Sequence, residues 1–127
     1  MGDLAYWPAA KPLSKKNTFA KNRDFIKNLD HIDQIWEKLK FKCGDTLAVC
    51  DLRGKYKEKF SYSELADLIT KVSFSFENYG LKKGDVVTVI SENSPRWLAV
   101  DQGLMRLGAI NAVRGINSPS VELDYII

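Results

Sequence analysis

A chain of 127 residues with 45% hydrophobic and 28% charged residues lies far from the composition of disordered proteins and is long enough for one hydrophobic core. Its net charge of +3 is unevenly placed, with nine Lys and Arg against five acids in residues 1–42 and six against eight in residues 61–127. No apolar run approaches the ~18 residues of a membrane span, and the uncharged run at 4–10 contains Pro8 and leads into Lys-rich sequence, unlike a secretory signal. A transmembrane helix is excluded, and a cytoplasmic location is the default expectation.

Residues 1–29 show no sustained period and contain Pro8 and Pro12, so they read as an irregular basic leader, with Tyr6 and Trp7 as its anchor. Lys11, Lys15, Lys16, Lys21, Arg23 and Lys27 also fit attraction to an anionic membrane face, nucleic acid or an acidic carrier protein. A solvated leader accounts for the same residues. Residues 31–42 place Ile32, Ile35, Trp36 and Leu39 at helical spacing, with Lys38, Lys40 and Lys42 at the end that suits the helix dipole. Gly44 is expected to end that helix, and His31 is read as a helix-terminus residue.

Residues 47–51 and 56–60 flank a turn around Arg53 and Gly54, the pattern of a β-hairpin. Ser61-Tyr62-Ser63-Glu64 matches a capping box, and Leu65, Leu68, Ile69, Val72, Phe76 and Tyr79 then form one apolar stripe that Gly80 ends. Leu68 is expected to be buried on that stripe. Gly84 and Asp85 lead into residues 86–90, a β-branched run expected to be covered on both faces. Ser94 with Pro95 opens a largely apolar helix that Gly108 closes. Residues 109–113 return as a strand through a right-handed parallel crossover, and Ser118 and Pro119 open a last helix. The predicted class is α/β: a partial parallel sheet of doubly wound type with flanking helices, an N-terminal β-hairpin, and an incomplete domain.

Chemistry-bearing patterns are sparse. Gly103 and Gly108 have the gap of a phosphate loop, but Ala109 and Ile110 stand where Lys and Ser or Thr would be required; close helix packing and a helix stop explain them. No Gly-x-Ser-x-Gly elbow occurs, and the single His has no matching acid arrangement. Cys43 and Cys50 have no second pair, so neither a zinc site nor a redox pair is supported, and Cys50 reads as a small buried thiol in a strand. Glu92 and Asp101 read as solvated scaffold positions rather than an acid pair. Basic and aromatic residues between Arg53 and Phe60 weakly resemble a single-strand-binding surface, but an amphipathic hairpin accounts for them and no nucleic-acid partner is expected.

Phe60-Ser61-Tyr62-Ser63-Glu64-Leu65 is similar to the entry helix of the AMP-forming acyl-activating enzymes. Gly80-Leu81-Lys82-Lys83-Gly84-Asp85-Val86-Val87, Asn93-Ser94-Pro95-Arg96-Trp97, Gly103 and Gly108-Ala109 follow in that family's order. Val113-Arg114-Gly115 and the segment from Ser118 to Ile126 resemble the long-chain branch, that of long-chain fatty acid CoA ligases and acyl-acyl-carrier-protein synthetases. The resemblance covers roughly half the chain and rests on ordered spacing rather than on any single motif. It implies a carboxylate attacking the α-phosphate of ATP, with Mg²⁺ screening the phosphates, to give an acyl-adenylate and pyrophosphate. A thiol, of coenzyme A or of acyl carrier protein, then takes the acyl group.

The resemblance transfers no site residue. The sequence contains no Ser/Thr/Gly-rich loop ending in Pro-Lys-Gly and no Tyr-x-x-Thr-Glu segment. Catalytic, cofactor-binding and metal residues are therefore expected to be none, and substrate-binding residues are unassigned. Residues 30–127 are expected to be the N-terminal part of an AMP-binding domain, cut short at its C-terminus and inactive alone, with residues 1–29 as leader. Arg114 is expected in a structural ion pair, with a place near the substrate channel as the alternative. Two other functions stay open: a noncatalytic binding or assembly module, and a ligase for aryl or short-chain acids.

Overall fold

The computed structural model describes residues 29–52 and 57–126. The sequence-predicted leader therefore lies almost wholly outside the described residues, as do the expected turn residues Arg53 and Gly54. Helix α1 (Gln34–Cys43) is followed by strands β1 (Leu47–Cys50) and β2 (Lys59–Ser61), then helix α2 (Tyr62–Asn78). Strand β3 (Val86–Ile90), helix α3 (Pro95–Leu107), strand β4 (Ile110–Arg114) and helix α4 (Ser120–Ile126) complete the order. The mixed α/β class holds, with one antiparallel and one parallel pair.

β1 and β2 form the expected hairpin, with Leu47 opposite Ser61 and Val49 opposite Phe60. Two steps on β1 thus answer one on β2, a bulge at Ala48 that bends the strand. β3 and β4 run parallel in continuous register from Val86–Ile110 to Ile90–Arg114, joined through α3 as the crossover predicts. Gly84 and Gly108 join the two strand entrances, the Gly84 amide donating to the Gly108 carbonyl at 2.9 Å.

α2 begins where its sequence directs. The Ser61 hydroxyl accepts from the Glu64 amide at 3.2 Å, and the Glu64 carboxylate accepts from the Ser61 amide at 2.8 Å. The next two orphan donors are also used, Tyr62 N–H to the Thr46 carbonyl at 3.0 Å and Ser63 N–H to the Gly44 carbonyl at 2.9 Å. Gly44 ends α1 as its C-cap, as expected, and also serves α2. Its φ of −49° is right-handed, and its role is to turn a carbonyl toward the start of α2. Gly80 and Gly108 do adopt the left-handed stops, at φ 92° and 76°.

The core lies where α2 meets α3. Leu65, Ile69 and Ala99 are buried, with Trp36, Ala48, Val49, Phe60, Leu68, Val72 and Leu98 packed around them. Small residues line the seam: Ala66 and Ser73 on α2, Ala99 and Gly103 on α3, all buried. A Cβ added at Gly103 would stand 2.8 Å from Val72 Cγ1 and 3.2 Å from the Ser73 amide nitrogen, so the glycine sets how closely the helices approach. Leu104, fully buried, continues α3's packing.

Three burial expectations are corrected. Leu68 is only half-buried, because the buried line of α2 runs through Leu65 and Ile69. Tyr79 is 90% exposed, since α2 ends at Asn78 and the stripe loses its face there. β3 is not covered on both faces: Val86 is 64%, Ile90 41% and the facing Ile110 55% exposed. These residues alternate with Val87, Val89 and Asn111, and the Asn111 side chain is tied to α3. The face bearing Val87, Val89 and Asn111 is the more covered, with Val113 on it 37% exposed, and the face bearing Val86, Ile90 and Ile110 is largely open among the described residues.

Truncating Leu65 to Ala is expected to cost ~2 to 5 kcal/mol and removing the Ser61 cap ~1 kcal/mol, measurable as shifts in urea midpoint. Glu64 titrates below the usual carboxylate range, first because of the backbone Ser61 amide and then the Ser61 side chain. A depressed folded-state pKa gives stability that is present above the usual carboxylate value and lost as pH falls through the lowered one. The acid limb of the stability profile should therefore flatten in Glu64→Gln, read from unfolding midpoints across that range.

Candidate functional site

Open parallel sheets take ligands outside the carboxyl ends of their strands, where the connecting loops diverge. Here β3 ends in Ile90 and β4 in Arg114, and the Ser91 amide donates to the Arg114 carbonyl at 3.2 Å, joining the two exits. Loop residues 91–93 and 115–119 then line an open cleft of about 580 Å³. The Ser91 hydroxyl donates to the Glu92 carbonyl at 3.0 Å, and the Ser118 amide to the Gly115 carbonyl at 3.1 Å. Arg114 Nε stands 2.7 Å from Glu122 Oε1 on α4, bridging the ends of the 115–119 loop. That approach is an ion pair off the hydrogen-bonding line, since the buried Nε–H has no in-line acceptor. Nη1 of the same guanidinium donates to the Val113 carbonyl at 2.7 Å. Arg114 is thus paired structurally, as expected, and it borders the cleft.

The start of α3 is anchored from the residue just ahead of β2. Arg96, on the first turn of α3, meets Glu58 through Nε at 2.8 and 3.0 Å and through Nη2 at 2.6 Å. Ser94 caps α3 by accepting from the Trp97 amide at 3.0 Å, with Pro95 in the first turn.

A larger groove of about 840 Å³ runs beside α1 and the 44–46 turn. It lies away from the strand ends. Its Lys40 is paired with Asp67, which raises the Lys40 pKa chiefly through that hydrogen bond. The amides of Ser63 and Glu64 at the adjoining start of α2 are already taken, so this groove has no ready anion site. We therefore place the candidate site in the smaller cleft.

Asp101 does not stand as a solvated carboxylate, which corrects the sequence expectation. Its Oδ1 accepts from Asn111 Nδ2 at 2.8 Å and its Oδ2 from Gln102 Nε2 at 2.9 Å. The Gln102 carbonyl in turn accepts from Trp36 Nε1 at 2.8 Å, so one polar chain links α1, α3 and β4. Glu92 lies in the cleft lining and has no part in this chain of bonds. Cys43 Sγ donates to the Leu39 carbonyl at 3.2 Å. Cys50 is half-buried in β1 rather than buried, and neither cysteine is in a disulfide. His31 is exposed, and its carbonyl accepts from the Gln34 amide just ahead of α1. Among the described residues no three His, Cys, Asp or Glu side chains converge on a possible metal position.

Nothing in the sequence marks Glu122 as the partner of Arg114, nor Trp36 and Gln102 as one link. The latter pair is 66 residues apart, beyond any periodic signal.

The geometry is that of a scaffold with a polar cleft, and comparison supplies the lineage. The model of the AMP-binding enzyme family matches residues 36–127. The chain belongs to that family. Over 95 residues, three quarters of its length, it is 35% identical to the probable acyl-activating enzyme 16 of Arabidopsis thaliana chloroplasts. It is 34% identical over the same length to a chloroplastic long-chain-fatty-acid–[acyl-carrier-protein] ligase of that plant. A crotonobetaine/carnitine–CoA ligase of Escherichia fergusonii is 32% identical over 81 residues, 63% of this chain and 16% of that protein. The chain spans only 13% of each of the two plant proteins.

Among solved structures, the N-terminal subdomain of Klebsiella oxytoca NpsA in complex with 3-hydroxybenzoyl-AMSN superposes with a TM-score of 0.69 at 26% identity. The match covers 77% of this chain and 24% of that one. A Mycobacterium tuberculosis fatty acyl CoA synthetase gives a TM-score of 0.70 at 18% identity over 76% of this chain and 19% of its own, a likeness of fold. The AMP-binding scaffold thus includes the α2–α3 core, the parallel pair and its cleft.

Removing Asp101 would strand the Asn111 amide, and an unmade buried hydrogen bond costs ~1 to 3 kcal/mol. A double-mutant cycle of Asp101→Ala and Asn111→Ala in denaturant should return a stabilising coupling; strict additivity would deny the bond.

Proposed function

We propose that residues 30–127 are the N-terminal part of an AMP-binding domain, preceded by a basic leader, in a ligase that activates a long-chain fatty acid. ATP and Mg²⁺ serve the first step, in which the fatty carboxylate displaces pyrophosphate and becomes an acyl-adenylate. A thiol of coenzyme A or acyl carrier protein then receives the acyl group. The observation that carries this reading is the 34% identity over 95 residues to a long-chain-fatty-acid–[acyl-carrier-protein] ligase, joined to the Arg114-Gly115 pattern of that branch. A cytoplasmic place, with peripheral membrane contact through the leader, belongs to the same proposal.

What the described residues contribute is support. The α2–α3 seam carries the parallel pair, and the pair presents its loops at the carboxyl edge. No described Ser, Cys or His sits in a nucleophile–base arrangement: Ser61 and Ser94 cap helices, and the Ser91 hydroxyl is spent on the neighbouring carbonyl. In-line displacement needs positioned positive charge, and the cleft lining has neither Lys nor Arg. The 127-residue chain by itself is therefore expected to be inactive.

A second reading, a ligase for aryl or short-chain acids, draws on the likeness to the crotonobetaine/carnitine–CoA ligase and to the NpsA subdomain. A shared scaffold does not encode the acyl pocket. A noncatalytic assembly module would draw instead on the open apolar face of β3 and β4, and a discrete soluble oligomer in light scattering would favour it.

Pyrophosphate release by the full-length protein should be faster with palmitate than with benzoate or crotonobetaine, and the 127-residue chain should release none. A benzoate preference would remove the long-chain assignment.

A further inference from the structure

Side chains alternate along a strand, so Val86, Thr88 and Ile90 share one face of the parallel pair with Ile110, Ala112 and Arg114. Asn111 points the other way and bonds to Asp101 of α3, which puts α3 on the opposite face. The Ile110 face is largely open among the described residues. Parallel strands carry helices on both faces, because β-branched side chains left in water forgo the gain of burial. A second helix layer is therefore called for on the Ile110 face.

Arg114 points to the element that begins this layer. It stands on the Ile110 face by the same alternation, and its guanidinium pairs at 2.7 Å with Glu122 in the first turn of α4. Exposure follows that tie: Ile90, the register partner of Arg114, is 41% exposed, against 64% and 55% for Val86 and Ile110 at the other end. α4 has no buried residue, its Val121 and Tyr125 are almost bare, and Leu123 and Ile126 lie half-buried three residues apart. Its seven residues rise about 10 Å, while the five of β4 span about 13 Å. A helix returning over the strand from the Arg114 end needs roughly one further turn to pass Ile110 and Val86. The plant relatives, of which this chain spans 13%, have ample chain for it. A second copy fits less well, since the face offers three exposed large apolar side chains and a stable interface draws on about 20–30 residues a side.

We propose that in the full-length ligase α4 and the residues that continue it cross the open face of β3 and β4 as the helix layer opposite α3. That helix seats on Ile110 and Val86 and is pinned at its start by Arg114 and Glu122. The proposal rests on the ligase reading for the existence of the longer chain. It makes the face an interface internal to one polypeptide.

The test is maleimide labelling of Ile110→Cys, read peptide by peptide in a mass spectrometer with Cys43 and Cys50 as internal references. Position 110 should label readily in the 127-residue chain and about tenfold more slowly in the full-length protein, where labelling must wait for local opening. Equal rates would overturn the proposal. So would slow labelling of the 127-residue chain that speeds up on dilution, the mark of a second copy on the face. A short bis-maleimide then identifies the cover: in full-length protein Ile126→Cys should cross-link to Ile110→Cys. A cross-link to Val113→Cys on the α3 side instead, or to neither position, would sink the assignment of α4. Full-length protein that shows the protection and the cross-link yet activates no carboxylic acid would refute the ligase reading and leave the helix layer standing.

Discussion

The close approach of α2 to α3 at Gly103 is the constraint on which the described fold depends. Val72 and the Ser73 backbone occupy the space that any side chain at position 103 would need, so the helices settle at a separation that only a hydrogen atom permits. From α3 the rest is hung by short links. The Ala109 amide donates to the Leu104 carbonyl at 3.0 Å, and Gly84 donates to Gly108, so the start of the parallel pair is fixed within a few residues of the seam. Dispersion and exclusion act over less than an ångström, and that precision is carried outward to the strand exits.

The cleft inherits its shape from this chain of attachments rather than from a dedicated catalytic cluster. Glu58 and Arg96 tie the hairpin to the first turn of α3, Ser91 ties one exit to the other, and Arg114 with Glu122 ties the second exit to α4. The polar chain from Trp36 through Gln102 and Asp101 to Asn111 does the same on the covered side of the sheet, where an apolar contact would hold the helices without fixing their rotation.

Features that depend on a few neighbouring residues were legible in the sequence. The Ser61–Glu64 box, the Ser94-Pro95 start, the left-handed Gly80 and Gly108 and the crossover between β3 and β4 all follow from local stereochemistry, and all are present. Burial was legible only to the nearest helical face: the stripe predicted Leu68 as strongly as Ile69, and only the position of α3 decides between them. The open face of β3 escaped notice because a β-branched run reports what a strand is suited to, not what lies against it. Gly44 was legible as the end of α1 but not in its second duty, since its carbonyl serves a helix that begins 18 residues later. At the candidate site Arg114 was visible and Glu122 was not, because nothing in the spacing of a strand end and a following helix marks a pair.

The bonds from Gly44 and Thr46 to the first turn of α2 have a kinetic meaning. Helix initiation is the costly step of helix formation, with an equilibrium penalty near 10⁻³, and here two of the first donors find their acceptors across a long intervening excursion of chain. Closing that excursion adds an entropic toll that grows with the logarithm of its length. The hairpin and the onset of α2 should consequently appear together as one cooperative nucleus, and a ribosome-bound chain would gain α2 only after the preceding turn had folded back to meet it.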